Sequence, residues 1–409
     1  MKYSMKISHK ISRKISRILL ILISFCLTVS WAIISPHKIV SANTPHQTPT
    51  SEIRGVWLTN VDSDVLFSSA NTQQAVDRLA DMNFNTIYPT VWQGGYTLYP
   101  SQVAEKTFDV KIDPTPGLQQ RDMLEEIIKA GHAKGLKVIP WFEFGFMAPA
   151  NSELARQHPD WLTKQRNGEL IKMEGIEPRV WLNPLHPEVQ KFIIDLVVEI
   201  VSNYDVDGIQ FDDHFGLPAE YGYDDLTMAT YTKELKGLKP SDDYKETFWV
   251  RWRADKINQV MEKVFYAIKA VKPKCIISVS PNPLHFALPA YLQDWFTWER
   301  KGFIEELVLQ VYRPDLDRFR WELQREEVKL AKSHIPVAIG ILSGLKNQGV
   351  PINTIQKQME IVRKEGFAGV GFFFYESLWH WSDDPASVRL AGLKNLFPVS
   401  VSRPEIFVN

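Results

Sequence analysis

From residue 52 onward, short apolar runs alternate with stretches whose apolar residues recur every three or four positions, so strands and helices are predicted in turn. Ile53–Thr59 (IRGVWLT), Asn85–Trp92 (NTIYPTVW), Leu136–Phe142 (LKVIPWF) and Asp207–Asp213 (DGIQFDD) read as four strands. Cys275–Ser280, Glu306–Tyr312, Ile335–Leu342 and Gly369–Tyr375 read as four more. Helices are predicted over Asn71–Met82 with Asn71 or Thr72 as cap, Arg121–Lys134, Pro187–Asn203, Thr247–Val271, Asp317–Ser333, Thr354–Glu365 and Pro385–Leu396. Apolar runs of this kind suit parallel strands covered by helices. Gly135, Gly302 and Gly366 stand between a helix and the next strand, where a left-handed residue ends a helix. Eight strand–helix units over about 350 residues predict an α/β protein, a (β/α)8 TIM barrel. A doubly wound open sheet competes, but it wants a Gly-rich phosphate turn after the first strand, and the sequence has none there.

The extra length is concentrated in Gln93–Gln120, Glu143–Asn183, Phe215–Glu246 and Pro281–Gly302, each following a strand. Long βα loops of this kind build substrate clefts. The fourth strand ends in Asp212, Asp213 and His214. Side chains alternate along a strand, so Asp212 shares a face with Gln210 and is the aspartate that looks into a barrel. Asp213 divides evenly between a site residue and a helix cap. Other strand ends carry Trp57, Trp92, Trp141 with Glu143, Tyr312, and Glu376 with Trp379. Carboxylates under aromatic rings suit sugars, whose C–H faces are apolar while their hydroxyls need partners. Glycoside hydrolysis generally uses two carboxyl groups, one protonated and one ionised. Asp212 is the expected nucleophile or charge stabiliser. Glu143, among Trp141, Phe142, Phe144 and Phe146, is the expected acid because desolvation raises a carboxyl pKa. Glu376 is its substitute, with Asp213, His214 and Asn282 orienting Asp212 or holding hydroxyls. A metal site built on Asp212, Asp213 and His214 with His285 or His380 is a weaker competitor, since no H-x-H or HExxH is present. No metal or other cofactor is expected.

Composition changes the picture at the N-terminus. Residues 1–17 hold six basic residues and no acid, an apolar run follows to Ile34, and Val40-Ser41-Ala42 resembles a cleavage site. Residues 1–42 therefore read as a signal peptide or an uncleaved anchor, residues 43–51 as a linker, 52–398 as the barrel and 399–409 as a C-terminal tail. Export to the periplasm, cell envelope or extracellular space is expected, with membrane contact only through an uncleaved leader. Phe25 spoils a lipoprotein pattern at Cys26, and Cys275 is left as a lone buried thiol. The net charge of -1 gives no reason to expect a nucleic-acid partner.

The runs EIRGVWLTNVDSDVL at Glu52–Leu66, MNFNTIYPTVWQGG at Met82–Gly95, GLKVIPWFEFGF at Gly135–Phe146, DGIQFDDHF and ELVLQVYRPD at Glu306–Asp315 together resemble glycosyl-hydrolase-like family 10. This family of exported bacterial proteins, once a domain of unknown function, includes a division-associated glycosidase of peptide-free peptidoglycan strands. The wording looks most like the cyanobacterial branch. The resemblance implies a barrel related to the alpha-amylase-like clan, with Asp212 at the nucleophile position of the fourth strand. Two departures accompany it: Glu143 stands where members tend to have Asn, and the fifth strand ends Ser278-Val279-Ser280-Pro281-Asn282 without the clan's acid. A glycoside hydrolase acting on an extracytoplasmic polysaccharide, of peptidoglycan type or another β-linked amino-sugar polymer, is the expected function. A barrel that binds carbohydrate without cleaving it is the alternative from another class.

Overall fold

The computed structural model describes residues 49–406; the leader, Cys26, most of the linker and the last three residues lie outside the described residues. Eight parallel strands form the centre: β1 (Ile53–Leu58), β2 (Thr86–Gln93), β3 (Lys137–Val138 and Trp141–Phe142), β4 (Gly208–Asp212), β5 (Ile276–Ser280), β6 (Glu306–Gln310), β7 (Val337–Leu342) and β8 (Gly369–Phe373). Each pairs with its neighbours in chain order, and β1 pairs with both β2 and β8. The sheet is therefore closed into a (β/α)8 barrel with no free edge. Pro140 has no N–H to give, and β3 is recorded as two short pieces around it.

Strand alternation divides the apolar residues into two bodies. Ile209, Phe211, Val279 and Leu307 face outward and join the helix residues in one continuous core. Trp57, Tyr88, Ile139, Trp141, Val308 and Ala338 face inward and fill the barrel. Interior polar groups are chained together. Trp57 Nε1 donates to Gln210 Oε1 (2.7 Å), Gln210 Nε2 donates to Ser278 Oγ (2.9 Å), and Ser278 Oγ donates to Glu306 Oε1 (2.9 Å). The tail closes the end of the barrel where the strands begin: Arg403 pairs with Glu306 and donates to Thr86 Oγ1 (2.6 Å).

Helix boundaries differ from expectation by up to two residues at several ends, and two helices differ in how they are capped or broken. The first helix runs Ser69–Asp81 and is capped by Ser68, whose side chain accepts from the Asn71 N–H, so neither Asn71 nor Thr72 is the cap. The expected helix Asp317–Ser333 is two, Leu316–Leu323 and Glu326–Lys332. Buried Leu323 and Val328 are five apart, out of helical phase, and Arg325 between them is extended. The segment after β3, expected as a loop, holds a small antiparallel sheet, Met147–Pro149 with Lys172–Glu174 and Glu177–Trp181.

Candidate active site

The site is built where β4, β5 and β6 end. Gln210 and Asp212 point inward from β4, as alternation requires, and Asp212 pairs in register with Ser280 of β5. Asp212 is 5% exposed. Its Oδ1 accepts from Ser280 Oγ (3.0 Å) and from Gln310 Nε2 (2.6 Å), while Gln310 Nε2 also lies 2.7 Å from the Ser280 carbonyl oxygen. Gln293 Nε2 donates to the Asp212 carbonyl oxygen (2.8 Å). These contacts fix the carboxylate and leave Oδ2 facing His214, whose Nδ1 lies 3.8 Å away. Ser280, Gln293 and Gln310 were not among the expected site residues. Gln310 carried a signal, since alternation along β6 puts it on the inward face at the strand end.

Beyond the strand the chain turns, and Asp213 and His214 join the same cluster. Asn282 Nδ2 donates to Asp213 Oδ2 (2.5 Å), and His214 Nδ1 lies 3.3 Å from Asp213 Oδ1 and 3.1 Å from the Glu143 carbonyl oxygen. A carbonyl can only accept, so Nδ1 carries a proton. Burial alone would lower the His214 pKa, but the charges of Asp213 and Asp212 outweigh it and hold the imidazole at about 9. Burial and then the Asp212 charge push Asp213 up to about 7.

Glu143 follows β3 and is half-buried, with Oε2 out of solvent and without a hydrogen-bond partner. Burial first, then the charge of Asp212, push its carboxyl up to about 8, against the opposing charge of His214. At neutral pH the site therefore pairs a protonated Glu143 with Asp212, the arrangement that acid-assisted glycosidic cleavage requires. Tyr312 stands in the same field: burial and then the charges of Asp212 and Asp213 raise its hydroxyl, and its ring packs on Phe373 with centroids 5.6 Å apart.

Five of the predicted residues sit elsewhere. Trp57 and Trp141 are each 1% exposed and fill the barrel one layer below Asp212, so neither offers an open face to a sugar. Trp92 is fully buried and packs edge-on against Phe192 of the outer helix Pro187–Asn203. A register shift between Thr90 and Trp92 breaks the alternation that would have turned it inward. Trp379 lies under the Arg78 guanidinium, 3.5 Å from its ring centre, on the helix side of the barrel. Glu376 accepts from Ser63 Oγ (2.9 Å) in a separate depression with Asn60, Asp62 and Lys346, and shares no hydrogen bond with the Asp212 cluster.

Asp212, Asp213 and His214 each offer a ligand-type atom within 4.8 Å of one another. The proton on His214 Nδ1, held by two oxygen acceptors, opposes metal ligation through that atom. His285 is beside Glu322 (3.7 Å) and His380 beside Glu376 (4.0 Å), so neither completes a ligand set.

The profile of a family described as "Glycosyl hydrolase-like 10" matches residues 52–361. Glycosyl hydrolase DigH of Escherichia coli (strain K12) is 29% identical over 310 residues, covering 66% of this chain and 67% of that protein. Glycosyl hydrolase YngK of Bacillus subtilis (strain 168) is 25% identical over 251 residues, covering 56% of this chain and 45% of that one. Among solved structures, the glycoside hydrolase domain of PgaB (BpsB) from Bordetella bronchiseptica superposes with a TM-score of 0.60 at 14% identity, over 82% of this chain and 100% of that chain. The catalytic domain of beta-amylase from Paenibacillus polymyxa gives 0.58 at 12%, over 85% and 98%. At these identities the two structures share the fold.

Proposed function

The chain belongs to the glycosyl hydrolase-like 10 family and is a glycoside hydrolase, and from that premise we propose that it cleaves an exported glycan of peptidoglycan type or another β-linked amino-sugar polymer. The observation that carries the assignment of roles is the contrast between two neighbouring carboxyl groups. Glu143 is pushed up to about 8 by burial and by Asp212, while Asp212 Oδ1 is gripped by Ser280 and Gln310. Glu143 gives its proton to the glycosidic oxygen as the C1–O bond breaks. Asp212 Oδ2 meets the positive charge that develops at C1, and water completes the hydrolysis. Asn282 and His214 hold Asp213 beside it. The family description supports a glycan substrate, and the basic, apolar N-terminal sequence supports an extracytoplasmic one.

The test is reducing-end release by the purified mature chain from peptide-free peptidoglycan strands and a panel of β-linked amino-sugar polymers. Release by the wild type and its loss in Asp212→Asn supports the reading. Binding without release supports the non-catalytic barrel instead. Activity that disappears with EDTA and returns with a divalent ion would move the chemistry to a metal on Asp212, Asp213 and His214.

A further inference from the structure

Beside the catalytic cluster lies a cavity of about 500 Å³ lined by Lys172, Glu220, Tyr244, His285, Phe286 and Tyr291. Its volume falls in the ~300–1,000 Å³ range of small-molecule sites. The cavity is tied to the site through backbone. Leu217 N–H donates to the Tyr291 carbonyl oxygen (2.8 Å) and Ala219 N–H to that of Ala290 (2.9 Å), joining the loop after β4 to the helix Leu284–Tyr291. That helix stands between Asn282, which holds Asp213, and Gln293, which holds the Asp212 carbonyl. One loop therefore carries both the supports of the aspartates and one wall of the cavity.

The walls pair aromatic faces with charged groups. Phe286 is 46% exposed, and its ring lies 5.9 Å from that of Tyr291. On the other side is the hairpin of Lys172–Glu174 and Glu177–Trp181. Its alternation exposes Ile171 and Met173 and draws Lys172 and Glu174 inward. Lys172 Nζ reaches Glu220 (3.3 Å) and lies 6.0 Å from the Tyr291 ring centre. Burial, then the charges of Glu174 and Asp213, raise the Tyr291 hydroxyl, so this ring stands in the field of the hairpin and of the active site together.

We propose that this cavity is a second sugar-binding position, which seats a unit of the same glycan strand at a distance from the bond being cleaved. Phe286 and Tyr291 take the C–H face of a pyranose, Glu220 accepts from its hydroxyl or acetamido N–H groups, and Lys172 donates to its oxygens. The inference rests on the glycosidase reading above. It makes the enzyme prefer long strands, because only a long strand fills both positions.

The experiment compares kcat/KM on peptide-free peptidoglycan strands, size-fractionated into long chains and disaccharide-sized fragments, for wild type, Phe286→Ala, Phe286→Trp and Glu220→Gln. The expected result is that the long-to-short ratio falls about ten-fold in Phe286→Ala and in Glu220→Gln, mainly through KM, and survives in Phe286→Trp. Phe286 is a surface ring, and matched melting temperatures confirm that the fold is kept. A ratio within two-fold of wild type in both Phe286→Ala and Glu220→Gln, while the wild type cleaves long strands, overturns the second position and leaves the hydrolase reading standing. A wild type that releases no ends from strands of either length overturns the hydrolase reading, and this inference with it.

Discussion

At the scale of single residues, the roles proposed for Asp212 and Glu143 are set apart by environment. Asp212→Asn keeps the shape and the contacts of Oδ1 but removes the charge that the oxocarbenium-like transition state meets. Turnover should fall by about 10³-fold or more while strand affinity changes little, which kcat against Kd on peptide-free strands will read. Glu143→Gln should slow natural strands by about 10²–10⁴-fold and activated aryl glycosides far less, because a good leaving group needs no proton. The basic limb of the pH profile belongs to Glu143: activity should be held below about 8 and lost as the pH rises through it. The same group leaves a mark on stability. Its pKa lies at 4.5 ordinarily and at about 8 in the fold, so the folded state binds more protons between those values. The stability that Glu143 contributes is full below pH 4.5 and is lost as pH rises to 8, by at most ~1.4 kcal/mol per pH unit. Glu143→Gln should therefore gain on wild type in thermal melts between pH 5 and 8. A constant difference across that range would show that the carboxyl is not held protonated.

At the scale of elements, three adjacent strands deliver Asp212 and its two donors, Ser280 and Gln310. Removing either donor deletes a hydrogen bond to a charged group, worth about 1.5–3 kcal/mol. Ser280→Ala and Gln310→Ala should each lower kcat by roughly 10- to 150-fold on that basis, and a double variant should lose less than the product because both donors serve Oδ1. Additive losses would mean that the two act independently. This part of the site was half legible in the chain. Period-two alternation places Asp212 with Gln210, and the desolvating company of Trp141, Phe142 and Phe144 points to Glu143. Trp92 went astray because one register shift reverses a side chain, and no residue in NTIYPTVW announces the shift. Trp57 and Trp141 went astray because a tryptophan near the end of an inward-facing strand serves equally as barrel filling or as cleft wall. Only the depth of the layer decides between them. Glu376 and Trp379 failed for a related reason, as the turn after β8 carries them away from the Asp212 cluster.

At the scale of the whole molecule, chemistry and closure occupy opposite ends of the barrel, as is general for this fold. The matched family region stops at residue 361, before β8, yet β8 supplies the pairings that join β7 to β1. The tail then turns under the strand starts. Ser402 pairs with Ser51, the Glu52 N–H donates to the Ser402 carbonyl oxygen (2.9 Å), and Arg54 Nη1 donates to that of Val399 (2.6 Å). Arg403 then reaches Glu306, whose side chain is fully buried inside the barrel and also accepts from Ser278 and Tyr88. A tail residue thus supplies the counter-charge for a carboxylate sealed in the core, and the interior chain runs on through Ser278 and Gln210 to Trp57, one layer below Asp212. Breaking a buried pair by removing one partner typically costs about 3–5 kcal/mol, because the other charge is stranded. Arg403→Ala should accordingly destabilise the protein by that amount in urea or thermal melts, and truncation after Phe397 should do at least as much. Glu306→Gln added to Arg403→Ala removes the stranded charge while keeping a group that Ser278 and Tyr88 can contact, and it should recover more than half of the loss. If the double variant is no more stable than Arg403→Ala alone, the tail holds the barrel through its backbone pairing and packing rather than by neutralising Glu306.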